Sequence, residues 1–187
     1  MRFPKTLVLT IALAMSGAYA FGDETTSAPS AMDSLYARLA KTRFSEEAQG
    51  IILEIDHLRS QSGSDTADLL MTRARKAREA ADGALARQLL DAIVAFDPDW
   101  SESWSARAGL RFGSGDVRGA MTDIAQTLKR EPRDMGALLG LGAIVADAGD
   151  PEAALRVYDR ALALAPAYEL AKEARSRAQN QVWSRSP

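Results

Sequence analysis

The 187-residue sequence contains no cysteine and a single histidine, His57. The first absence excludes disulfides, thiolate metal sites and a lipid-bearing cysteine, so core packing alone must hold the fold together. The second leaves no ligand set for zinc. It also leaves no base placed beside a serine nucleophile, because His57 is flanked by Asp56 and Leu58 with no nucleophile motif nearby. Aromatic residues make up only 6% of the chain, a scarcity that suits helices packed through alanine and leucine. An excess of positive charge is missing as well: 23 Lys and Arg stand against 25 Asp and Glu. That balance provides no basic face for nucleic acid and no basic amphipathic stretch for an anionic membrane. The carboxylates fall on solvent faces or at helix caps. The chain is accordingly read as a non-enzyme without metal or cofactor.

Long hydrophobic runs are lacking too. The apolar run from Leu7 to Met15 is far shorter than the ~20 residues that span a bilayer. It follows Arg2 and Lys5 and leads to Ala18-Tyr19-Ala20, the small-x-small pattern of a signal-peptidase site. Residues 1–20 are therefore expected to be a cleaved export signal, with no stable membrane insertion after cleavage. Residues 21–31 are small, polar and aperiodic, and are expected to form a flexible leader.

What the chain does have is a period. Pro98, Pro132 and Pro166 are spaced 34 residues apart, and the same step joins Asp82 to Asp116 to Asp150 and Ala86 to Ala120 to Ala154. Each unit holds two apolar stripes at helical spacing with a turn between them. In the middle copy Trp104, Ala108 and Arg111 mark the first helix, and Ala120, Ile124 and Thr127 or Leu128 the second. Gly113-Ser114-Gly115-Asp116 is the turn, where glycine permits positive φ and Asp116 is placed to cap the second helix. Pro132 then forces that helix to stop. The third copy reads Leu138, Gly142 and Val145, then Gly149-Asp150-Pro151, then Ala154, Tyr158 and Ala161. The first reads Leu70, Ala74 and Ala77, then Ala86, Leu90 and Ile93, with Ala81-Asp82-Gly83 at the turn, so its glycine is displaced by two places.

These residues resemble the tetratricopeptide family. A large residue comes early in the first helix (Leu70, Trp104, Leu138), followed by a small one at the close crossing (Ala74, Ala108, Gly142). An alanine, a large residue four places later and a terminal proline complete each copy. Arg73 and Arg107 depart from the family's usual leucine, and a long stem laid on apolar surface with its charge in water accommodates that change. The resemblance implies an all-α, helix-hairpin solenoid with repeats at 67–100, 101–134 and 135–168, and with Trp104 in the core. The helical pair at 32–66 is expected to be a degenerate repeat or cap, with Ile51, Ile52, Ile55 and Leu58 buried. A C-terminal capping helix at 169–183 carries the stripe Leu170, Ala174, Ala178 and Val182. The chain is also similar to small exported tetratricopeptide proteins of Gram-negative bacteria, which makes the periplasm its expected location.

A scaffold or adaptor for a protein or peptide partner is the function this resemblance implies. Some family members grip a terminal carboxylate with Lys, Asn and Arg on successive first helices. At the matching places stand Met71 and Arg75, Ala106, then Gly136 and Gly140, so only Arg75 could serve and that mode is not carried over. The inward positions Ala106, Gly109, Phe112, Leu139, Gly140 and Ala143 instead suit a peptide or amphipathic helix laid in a groove. Arg75 and Arg78 either face that groove or form a solvated surface balanced by Glu79 and Asp82. Two alternatives stay open. The chain could be a structural subunit of an envelope complex or a self-associating assembly, or its groove could be filled by its own N-terminal helices or leader.

Overall fold

The computed structural model describes residues 30–184. The expected signal at 1–20 and residues 21–29 of the expected leader lie outside the described residues, while Ser30 caps the first helix and Ala31 opens it, so the leader gives way to helix one residue earlier than expected. Among those described there are nine helices and no strand: α1 (Ala31–Leu39), α2 (Ser45–Arg59), α3 (Asp65–Glu79), α4 (Gly83–Phe96), α5 (Ser101–Gly113), α6 (Val117–Arg130), α7 (Met135–Asp147), α8 (Pro151–Leu164) and α9 (Glu169–Trp183).

The 34-residue step sets where helices start and stop. Asp82, Asp116 and Asp150 each cap a second helix, accepting from the backbone N–H of Leu85, Gly119 and Ala153 at 3.0, 2.9 and 2.8 Å. Ahead of each cap one residue sits in the left-handed region: Ala81 at φ 59°, Gly115 at 82° and Gly149 at 93°. Only the first copy lacks glycine there. Its alanine keeps the backbone shape of the turn against a steric cost. Helices α4, α6 and α8 all end just short of their prolines.

Helices α3–α4, α5–α6 and α7–α8 pack as hairpins, and α9 stacks on α8. Ala86, Ala120 and Ala154 are wholly buried at the crossings. Gly142 shows why a small residue is needed, since a Cβ there would sit 2.3 Å from the Tyr158 ring. Large residues of the second helices (Leu90, Ile124 and Tyr158) fill the seams.

Three expectations are corrected. Trp104 is half-buried at the surface: its ring lies between the guanidinium groups of Arg107 and Arg130, each 5.0 Å from the ring centre. Its indole N–H donates to the carbonyl of Pro98 at 2.8 Å. The tryptophan buried in the core is Trp100, 8% exposed, just before α5. Arg107 does not merely lay its stem on apolar surface. Its fork donates to the fully buried carboxylate of Asp123 at 2.9 and 2.8 Å, so the buried aspartate has its counter-charge. In α9, Ala171, Ala174 and Ala178 are buried, while Leu170 is exposed. The expected stripe holds at Ala174 and Ala178, and at its start Ala171 takes the inward place expected of Leu170.

Helices α1 and α2 do not extend the array ahead of α3. Ile51, Ile52 and Ile55 of α2, with Leu35, Tyr36 and Leu39 of α1, share one core with Met135 and Leu138 of α7. Ala161 and Ala165 at the end of α8, and Ala167, Tyr168 and Ala171 where α9 begins, complete it. The physical reason lies in what each surface offers. The buried face of α3 (Ala67, Met71, Ala74 and Ala77) is taken up by its own neighbours, whereas the alanine-rich start of α9 leaves room for isoleucines.

Candidate binding groove

Helices α3, α5 and α7 line the inner face of the stack, and α2 runs along one side of it. The helical periods of α5 and α7 decide which side chains point inward. Ser105, Gly109 and Phe112 do so from α5, and Gly136, Gly140 and Ile144 from α7, around a hollow of about 240 Å³. Gly109 has open space where a Cβ would stand, and a Cβ on Gly140 would only touch Ile124 at 3.6 Å. Phe112 is half-exposed beside them. The walls are thus backbone, small side chains and the buried Ile124 and Ile144, with one aromatic ring at the edge.

The expected residues divide into three sets. Gly109, Phe112 and Gly140 come together in this hollow. Met71, Arg75, Arg78 and Ala106 come together at the α3 end, but Met71 is 1% exposed and belongs to the core beneath. Leu139 faces away and packs towards the cores around α2, α8 and α9, and Ala143 is half-buried outside the hollow. Along α7 the inward face is 136, 140 and 144, one residue round from the expected 139 and 143. Ser105 was missed, although a step of four back from Gly109 would have found it, and Gly136, weighed only as a place for a carboxylate grip, lines the hollow as well.

A charged junction closes the groove on the α2 side, and no sequence signal marked it. Arg59 at the end of α2 is 9% exposed and donates to the carboxylate of Asp134, itself 1% exposed. Asp56 and Glu102 lie 3.5 and 3.6 Å from the same guanidinium, and Arg75 reaches Glu102 at 3.5 Å. Asp134 also caps α7, accepting from the N–H of Ala137 at 2.8 Å. Beside it the indole of Trp100 donates to the carbonyl of Arg59 at 2.9 Å. Burial pushes the Glu102 and Asp56 carboxyls above their ordinary range, with Arg59 pulling the other way. For Arg59 burial acts to lower the pKa, and the carboxylates of Asp134 and Glu102 outweigh it and hold the pKa above its usual value. Farther along α1, Arg133 stacks 4.0 Å from the Tyr36 ring centre and pairs with Asp33 at 3.0 Å. Among the described residues α2 runs along one flank of the groove, and no residue of α1 or α2 lines the hollow between α5 and α7.

Leu53, Asp56 and His57 of α2 face Arg75, Glu102 and Ser105 across a second, more polar hollow of about 370 Å³. Among the described residues no group of three or more His, Asp or Glu is placed to hold a metal ion. None of the helices of the described residues is long and apolar enough to cross a membrane.

Stacked helix hairpins around an inner groove define the class: a helical-repeat protein of the kind that presents a surface. No protein-family profile matches the chain. Over 142 residues, however, it is 39% identical to a TPR repeat-containing protein of Rhizobium etli, covering 76% of this chain and 70% of that one. The chain belongs to the tetratricopeptide-repeat proteins. Solved structures agree in fold. The first TPR domain of Spaghetti (RPAP3), solved with the HSP90 peptide SRMEEVD, superposes with a TM-score of 0.61 at 19% identity, over 64% of this chain and 95% of that one. The TPR domain of Arabidopsis OM64 gives 0.58 at 16%, over 62% and 96%. YrrB, described as a TPR protein with an unusual peptide-binding site, gives 0.55 at 18%, over 78% and 75%.

Proposed function

We propose that this chain is a non-catalytic scaffold or adaptor of the cell envelope that holds a peptide or amphipathic helix of another protein between α5 and α7. One observation carries the reading. Gly109, Gly136 and Gly140 line a hollow whose only large exposed side chain is Phe112, so an incoming backbone could lie close while an apolar residue meets the ring. Two proteins of like fold, the Spaghetti TPR domain and YrrB, are described with a bound peptide or a peptide-binding site, which supports a ligand of the same class. Export rests on the basic start, short apolar run and Ala18-Tyr19-Ala20 of the first twenty residues.

In-cell crosslinking of a tagged chain followed by mass spectrometry tests the groove. The parent should give crosslinks from a partner to α5 and α7. Phe112→Asp and Gly109→Gln, the second placing a side chain in open space, should abolish them with helicity unchanged. Full recovery with both variants would put the partner elsewhere. Crosslinks only between copies of this chain would favour the self-associating alternative. N-terminal sequencing of the protein from its native host should begin at Phe21, and a mature protein retaining Met1 would contradict export.

A further inference from the structure

The repeat register exposes a second surface, at the open end of the stack on α3. Arg73, Arg107 and Arg175 occupy the same place in three first helices, at multiples of the 34-residue step. Two of them reach back to the second helix of the preceding hairpin, where their partners are also in register. Arg107 pairs with Asp91 of α4 at 2.8 Å, and Arg175 with Asp159 of α8 at 2.5 Å. At the junction between α6 and α7 the pair is replaced by Ala125 and Leu141, so charge and counter-charge change together. Among the described residues Arg73 alone has an arginine's place and no carboxylate opposite. The same holds one turn away. Leu69 is 55% exposed, while its register-mates Ser103, Ala137 and Ala171 are all buried. Lys76 is exposed where Ile144 and Ala178 are buried. The helix that precedes α3 in the chain does not cover this face, because α2 lies against α7 and the start of α9.

We infer that the α3 face of Leu69, Arg73 and Lys76 docks an acidic amphipathic helix from a partner protein, seated as the second helix of a preceding hairpin would be. The chain itself states the chemistry of the occupant. Wherever an arginine stands at this register, the helix packed on it carries an aspartate. The face is a leucine with two cations, and it calls for an apolar residue and a carboxylate on neighbouring turns. A second copy could offer Asp91 or Asp159 only by unstacking, since the faces carrying them are already engaged with α5 and α9. This surface is separate from the groove of α5 and α7.

The probe is a synthetic peptide of residues 150–165 of this sequence, which contains α8 and Asp159. Titrated into the 15N-labelled protein, it should shift the backbone amides of α3. Arg73→Asp should weaken binding at least about tenfold, because it sets like charges opposite one another. A peptide with Asp159→Arg should recover affinity for that variant. Leu69→Asp should also weaken binding; both side chains are exposed, so circular dichroism should show intact helices. Three results would overturn the inference: no α3 shifts at millimolar peptide, equal affinity of the parent and Arg73→Asp, or shifts confined to Phe112 and Gly140. So would dimerisation of the free protein that Arg73→Asp abolishes, since the occupant would then be a second copy.

Discussion

The stack α3–α9 and the pair α1–α2 are built from the same alphabet and held by different physics. In the stack, contacts join neighbours in sequence, through alanines and Gly142 at the crossings with one large side chain beside each. The α1–α2 pair meets partners about a hundred residues away, through isoleucines on one face and a buried guanidinium at the end. Periodicity fixes the first kind of contact, because each unit repeats its neighbour's interface. It is silent about the second, which depends on which leftover surface best accommodates an unrepeated helix pair.

Removing the buried cation should separate the two regions most clearly. Arg59→Ala leaves Asp134 buried without its counter-charge, which costs on the order of 3–5 kcal/mol if the pair stays docked. Hydrogen exchange should therefore show α1 and α2 losing protection while α3–α9 keep theirs. Uniform loss across all nine helices would mean that the pair and the stack fold as one unit.

The tryptophans sharpen the same contrast. Trp100→Ala removes a buried ring and the indole donor to Arg59, and should cost about 3–5 kcal/mol in urea denaturation. Trp104→Ala removes a half-buried ring stacked on two guanidinium groups, and should cost only about 0.5–2 kcal/mol. Equal costs would contradict the assignment of Trp100 to the core.

The all-α class, the three hairpins, their aspartate caps and their proline stops were legible in the sequence, because each rests on a local rule applied three times. Half of the groove was legible as well: Gly109, Phe112 and Gly140 follow from helical spacing once the hairpins are placed. Leu139 was misplaced because a shift of one residue turns a side chain about 100° around a helix, and apolar residues surround that point of α7. Trp104 was misplaced because the first-helix position tolerates a half-buried ring once arginines flank it. The charged junction was not legible at all. Arg59, Glu102 and Asp134 are far apart in the chain, and each alone looks like an ordinary surface residue.

Smaller effects belong to single turns and single charges. Ala81→Gly relieves a left-handed alanine in the one turn whose register glycine is missing, and should stabilise the stack by up to about 1 kcal/mol. Destabilisation in thermal unfolding would contradict that reading. Glu102 has a carboxyl pKa raised above its ordinary 4.5 by burial, so the folded chain binds that proton more tightly than the unfolded chain does. At neutral pH the charged form is a cost, relieved as pH falls through the raised value towards 4.5. Glu102→Gln should thus gain stability over the parent at neutral pH, and the gap should shrink on acidification. A gap that widens towards acid would reverse the sign.

The docking of α2 onto the repeat stack is tested most directly at the Trp100 indole. A nuclear Overhauser spectrum, with the Trp100 signal assigned from a Trp100→Phe variant, should show the indole N–H close to Arg59 and Ser60 and slow to exchange with solvent. An indole N–H of Trp100 that exchanges freely and has no cross-peak to α2 would contradict the account.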